Sequence, residues 1–98
     1  MEKKFFTVAG TGFRMGTDFM EKEMKVLLKK EKDNDYDNEA ISVELEGLGQ
    51  IGYVANSVGT RKGSTMSAGR LYDKIGDTAV GTVRYVFDDA VVCELEEE

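Results

Sequence analysis

Histidine, tryptophan and proline are absent from this 98-residue chain, and cysteine occurs once, at Cys93. The missing histidines remove the commonest general base, the commonest metal ligand and the side chain that titrates near neutral pH. With one thiol and no imidazole, a zinc site would have to be built from carboxylates, so no metal and no cofactor is expected. A lone cysteine cannot close an internal disulfide, which suits a reducing compartment. No apolar run approaches the roughly 20 residues that span a bilayer. The opening MEKKFF is too short an apolar stretch for a secretory signal and breaks at Gly10. The expectation is a cytoplasmic protein with no membrane contact and no catalytic activity of its own.

What is present is enough for a folded domain. The hydrophobic fraction is 41%, too high for disorder and sufficient for one small core. The chain reads as a single domain over residues 1–98, with a core at about 5–95 and an acidic tail at 96–98. The net charge is −6 and unevenly spread. Residues 76–98 hold Asp77, Asp88, Asp89, Glu94, Glu96, Glu97 and Glu98 against Arg84 alone, which accounts for the whole excess. Residues 57–75 carry Arg61, Lys62, Arg70 and Lys74 against Asp73, a modest basic segment.

Local patterning predicts strands. Residues 3–9 (KKFFTVA) are aromatic and β-branched. Gly10, Gly12 and Gly16 then punctuate a loop running to about residue 23. Residues 24–32 (MKVLLKKEK) balance helix-favouring Leu and Lys against strand, and the turn-rich DNDYDN that follows favours a strand. Ile41, Val43 and Leu45 alternate with Ser42, Glu44 and Glu46, a half-buried strand over 40–46. Gly47-Leu48-Gly49 connects it to a hairpin partner at 50–55. Asn56 or Ser57 is placed to cap a short helical turn, and Ser67 a helix over 68–75, with Leu71, Tyr72 and Ile75 towards the core. Residues 78–87 and 90–95 form a last hairpin about Asp88-Asp89. The predicted fold class is mainly β: a small OB-like barrel of five to six strands with one or two short helices.

Three segments resemble chemical motifs and fail on context. Gly10-Thr11-Gly12-Phe13-Arg14-Met15-Gly16 has the spacing GxGxxxG, and no amphipathic helix or second parallel strand follows. Gly59-Thr60-Arg61-Lys62-Gly63-Ser64 has the composition of a phosphate loop without its order, although its two cations and amides could still meet a phosphate. Asp33, Asp35, Asp37 and Glu44 fall at calcium-loop positions 1, 3, 5 and 12, but the flanks read as strands and no second hand is present. Cys93 lies on an alternating strand with no imidazole to activate it, which marks a core residue.

Two segments carry a family resemblance. Residues 26–43 (VLLKKEKDNDYDNEAISV) and Gln50-Ile51-Gly52-Tyr53-Val54 resemble the HIRAN family, in which a strand, an N-[PD]-Y-D-x-N-A-I turn and a second strand lead to IGYV. Val8-Ala9-Gly10 with Phe13, and residues 67–75, are similar to members of that family as well, so the likeness spans about residues 5–95. The resemblance implies an OB-like barrel that binds single-stranded DNA, particularly its free 3′ end. It implies a targeting or sensing role in DNA repair or remodelling, with a helicase-like ATPase or nuclease as partner. Carried over, Phe13 stacks on a base, Tyr36 forms a stacking wall, Asp37 accepts the terminal hydroxyl, and Tyr53 and Asn56 line the groove. Family cations are replaced here at Gly12 and Asn56, with Arg14, Arg61 and Lys62 nearby in sequence. Asp35 and Glu39 stand where the family has proline and asparagine. Lost cations and added carboxylates weaken phosphate contacts.

The residues alone point the same way, because small barrels hold single strands on surface aromatics beside cationic grooves. The alternative is a non-catalytic protein-interaction barrel that uses its acidic C-terminal surface, in one form as a mimic of DNA.

Overall fold

The computed structural model describes residues 3–9, 21–35, 38–47, 49–56, 61, 63–87 and 90–96. It contains strands β1 (Phe5–Ala9), β2 (Lys25–Lys30), β3 (Ile41–Leu45), β4 (Gly49–Val54), β5 (Thr78–Val86) and β6 (Ala90–Leu95), with helix α1 (Ala68–Tyr72) between β4 and β5. The strands close into an antiparallel barrel in the order β1-β4-β3-β2-β5-β6. The fold is thus mainly β, at the upper strand count expected, with one short helix among the described residues. Among the described residues no helix is long and apolar enough to cross a membrane.

Residues 24–32, balanced between helix and strand by propensity, contain β2 at Lys25–Lys30. Pairing decides the matter: β2 lies between β3 and β5 (Leu28 opposite Val43 and Ala79), so every turn of helix would forfeit two ladders. Val26 and Leu28 point inward beside Ile41, Val43 and Leu45. The segment between β2 and β3 is therefore flanked by strands, and a calcium hand's helices are not there.

Phe6, Leu28, Ile41 and Leu71 are the largest fully buried side chains, each contributing about 1.5–3 kcal/mol by leaving water. Phe6 reaches across to β5, where a Cβ on Gly81 would come 2.7 Å from its ring. Glycine is the residue that leaves room for the ring. Gly47 and Gly49 have φ of +88° and +82°, which turns the β3–β4 hairpin through a left-handed conformation that side chains disfavour.

β1 pairs with β4 only at Val8 and Ala9. Just beyond β4 the Ala55 N–H donates to the Thr7 carbonyl, and residues 65–66 run beside the start of the strand, with the Met66 N–H donating to the Phe5 carbonyl. Met66 bridges Phe6 in parallel, and the buried Thr7 and Thr65 hydroxyls lie 2.8 Å apart. That segment leads into α1, whose start is capped by Ser67 Oγ accepting from the Arg70 N–H at 3.3 Å. The helix ends at Tyr72, earlier than the expected 75, while Ile75 still packs against the core.

Cys93 lies inside the barrel, and burial pushes its thiol up to about 12. It is a protonated core residue at neutral pH. Glu96, placed by the sequence in an acidic tail outside the core, is tied down: its N–H donates to the Val80 carbonyl, and its carboxylate accepts from Lys25 and Thr82.

Candidate nucleic-acid interface

The end of β4 is a junction. Gly52 and Val54 face inward, so Tyr53 points outward and is half-buried. Its hydroxyl donates to both carboxylate oxygens of Glu31, at 2.9 and 3.0 Å. Glu31 follows β2 directly and organises the turn after it. Its N–H donates to the Ala40 carbonyl at 2.9 Å, its own carbonyl accepts from the Asn34 N–H at 3.1 Å, and its carboxylate accepts from Asn34 Nδ2 at 2.9 Å. One carboxylate thus holds both the 31–40 turn and the tyrosine of the neighbouring hairpin. Hydrogen bonds to an ionised acceptor are the stronger kind, so the clamp fixes the turn's position against the barrel.

Asn56 lies just beyond β4 and is exposed. Its Oδ1 accepts from the Gly69 N–H at 3.0 Å, while the Ala68 N–H donates to the Ala55 carbonyl at 3.1 Å. Asn56 thus straps the start of α1 to β4, and the helical turn that Asn56 or Ser57 was expected to cap lies outside the described residues. A Cβ on Gly69 would come 2.9 Å from Glu39 Oε1. The carboxylate that departs from the family turn therefore stands at this same corner. Nearby, Lys30 Nζ sits 4.2 Å above the Tyr72 ring, and Lys32 pairs with Asp77 at 2.7 Å. That hydrogen bond and charge hold the Asp77 carboxyl below its usual range and raise Lys32.

Arg61 is half-buried. Its Nη1 donates to the Thr65 carbonyl at 2.7 Å and closes the 61–65 turn, while Nε is buried with no partner among the described residues. One face of the guanidinium is therefore committed to the protein. Phe13, Arg14, Tyr36, Asp37 and Lys62 lie outside the described residues. Of the site expected from sequence, the structure brings Tyr53 to the turn that carries Tyr36 and Asp37, and Asn56 to the start of α1. It does not turn the whole Arg61 guanidinium outward.

Several residues at this surface escaped sequence reasoning. Glu31 read as one more charge in a Lys-rich strand, and its reach across to Tyr53 depends on the pairing of β3 with β4. Tyr85, Val86 and Phe87 read as strand alternation, which would hide at least one of them. The register of β5 against β6 shifts between Val83 and Tyr85, and all three are exposed, at 54%, 37% and 42%. An extra residue in one strand re-aims the side chains that follow it.

Among known proteins, the family model described as the HIRAN domain matches residues 2–93. No curated protein and no solved structure matches the chain.

Proposed function

The chain belongs to the HIRAN family, a family of nucleic-acid-binding modules, and we propose that it binds single-stranded DNA with a preference for the free 3′ end. It acts by binding and not by catalysis, in the cytoplasm, as the unit that directs a helicase-like ATPase or a nuclease to DNA under repair or remodelling. Phe13 and Tyr36 stack on bases, Asp37 accepts the terminal hydroxyl, and Tyr53 and Asn56 form the wall behind them. Arg14, Arg61 and Lys62 supply positive charge.

The observation that supports this reading is the Glu31 clamp. The two sequence segments that mark the family, the NDYDN turn and the IGYV strand, are held together by one carboxylate that accepts from Asn34 and Tyr53. A turn fixed in this way can present an aromatic and an acceptor at constant spacing, which capture of a strand end requires. The charge pattern is compatible. The acids of the C-terminal segment that are described, Asp77, Glu94 and Glu96, are each paired with a cation of the same chain.

Fluorescence titration of strands ending in a 3′ hydroxyl or a 3′ phosphate tests the reading. The hydroxyl strand is expected to bind more tightly. Asp37→Ala is expected to weaken it by about 1.5–3 kcal/mol, the magnitude of a hydrogen bond to a charged group, without weakening the phosphate strand. Tyr36→Ala is expected to weaken both by about 1–3 kcal/mol through loss of a stacking platform. Equal affinity for the two ends would remove end capture. Absence of binding to either at low salt would remove the reading and favour a protein partner.

A further inference from the structure

The chain enters β2 through a turn at residues 21–24, and a sulfur atom helps to hold it. The Glu21 N–H donates to the Met24 sulfur at 3.1 Å, and the Met24 N–H donates back to the Glu21 carbonyl at 3.3 Å. Between them Glu23 has φ of +77°, a left-handed conformation that a residue with a Cβ adopts at a cost. Two backbone bonds tie the turn to β5. The Glu23 N–H donates to the Val83 carbonyl and the Val83 N–H to the Met24 carbonyl, both at 2.8 Å. Beyond Val83 the register of β5 against β6 shifts, so the turn docks where strand pairing is already irregular.

Met24 is half-buried and packs against the core, while Glu21, Lys22 and Glu23 are exposed. Its side chain therefore joins an apolar contact to a polar one at the surface. A thioether is a weak acceptor, and it is the group in this turn that a peroxide oxidises.

We propose that Met24 is an oxidation-sensitive latch: oxidation of its thioether by hydrogen peroxide opens the 21–24 turn from β5. A sulfur lone pair attacks one peroxide oxygen, and an S–O bond forms as the O–O bond breaks. The departing hydroxide takes the proton of the transferred oxygen and leaves as water. Sulfur loses two electrons and peroxide gains them. An oxygen on the lone pair that faces Glu21 fills the space of the N–H contact and drives the amide away. An oxygen on the other gives a side chain packed against the core an S–O dipole, which is costly where it finds no donor. In both cases the strained turn loses a contact that holds it. Dedicated reductases return methionine sulfoxide to the thioether, so the latch can be reset. Residues 10–20, with Phe13 and Arg14 among them, reach β2 through this turn. An opened turn loosens the tether of those two side chains and weakens DNA binding. That consequence rests on the proposed single-strand binding, whereas the opening of the turn does not.

Hydrogen exchange tests the opening, and titration with an octathymidylate tests the consequence. The whole chain and its Met24→Leu and Met24→Gln variants are compared before and after peroxide treatment, with each sulfoxide located by peptide mapping. Leucine keeps the apolar bulk and cannot be oxidised, and glutamine carries a polar end like the sulfoxide. Thermal melting verifies that both variants fold. Oxidation at Met24 is expected to speed exchange of the Glu23 and Val83 amides at least about tenfold, as local opening becomes easier. DNA affinity is expected to fall with it. Met24→Gln is expected to show both changes without peroxide. Met24→Leu is expected to keep the untreated rates after peroxide, although its other methionines remain oxidisable. Untreated rates in protein oxidised at Met24, or equal acceleration in Met24→Leu, would overturn the latch. A Met24 that stays reduced while other methionines are oxidised would overturn it as well. Faster exchange with unchanged affinity would support the latch and overturn its link to DNA. Absence of DNA binding before oxidation would overturn the proposed function, and the exchange rates would still decide the latch.

Discussion

On the outer face of β2, β3, β5 and β6, charges meet in pairs. Lys25 binds Glu96, Lys29 binds Glu44, Lys32 binds Asp77, and Arg84 donates to both Glu94 and Glu23. Around the start of β1 and the 63–70 segment, Lys3, Lys4 and Arg70 line a cavity with the exposed rings of Tyr85 and Phe87, and no carboxylate among the described residues lines it. Both surfaces are carried by one barrel in a chain of net charge −6. The sum of charges is therefore a poor guide to what a small domain binds, because acids and bases that alternate across paired strands neutralise each other locally.

The largest effect comes from removing the scaffold that both faces share. Phe6→Ala deletes a fully buried ring that packs against Gly81 across the barrel. It is expected to cost about 3–5 kcal/mol, as for other buried aromatics, read by chemical denaturation. A loss under about 1 kcal/mol would mean that the barrel is not closed around this side chain.

Next is Tyr53→Phe. It removes the hydroxyl from the Glu31 clamp and leaves a half-buried carboxylate with fewer donors. The expected cost is about 1–2 kcal/mol of stability, within the range for a hydrogen bond to a charged group. The 3′-end preference is expected to decline with it. An unchanged end preference would show that the turn holds its position without the clamp.

Two cations then separate the paired wall from the proposed DNA contacts. Arg84→Ala breaks both pairs on that wall and is expected to lower the melting temperature while leaving DNA affinity nearly native. Lys62→Ala is expected to do the opposite. If Arg84→Ala weakened DNA binding as much as Lys62→Ala, the separation would fail.

The smallest effect concerns pH. Lys25, then Thr82, hold the Glu96 carboxyl below its usual range, and Lys32 does the same for Asp77. Carboxyls whose folded values are depressed contribute stability that is complete above their ordinary range. That stability is lost as pH falls towards the folded values. Both groups are exposed, so the contribution is small and screened by salt. Glu96→Gln is expected to flatten slightly the fall in melting temperature below about pH 4.5, near the ordinary carboxyl range. An identical acid profile would mean that the Lys25 pair adds nothing in solution.

The strands were legible because alternation is a local signal: Ile41, Val43 and Leu45 announced their inward face without any knowledge of partners. Residues 24–32 were legible only through the turn that follows them, since Leu and Lys favour a helix. The family turn and IGYV strand were legible as a spacing. The clamp between them was not, because Glu31 and Tyr53 are far apart in sequence and meet only through sheet pairing. The exposure of Tyr85 and Phe87 was hidden for a similar reason. A one-residue register shift decides where Tyr85 points, and no residue type in RYVF signals it. The Glu96 anchor was not legible, because in sequence Glu96 is the first of three consecutive glutamates and its partners Lys25, Val80 and Thr82 are distant.

Dependence on salt tests most directly the proposal that this acidic chain holds single-stranded DNA through its cations. Affinity for an eight-nucleotide strand, measured from about 20 to about 300 mM monovalent salt, is expected to fall with a log–log slope of about −2 or steeper, since each phosphate neutralised on a single strand contributes about −0.7. Lys62→Ala is expected to reduce that slope by about 0.7, and Arg84→Ala to leave it unchanged. A slope near zero, or binding that strengthens as salt rises, would contradict the claim.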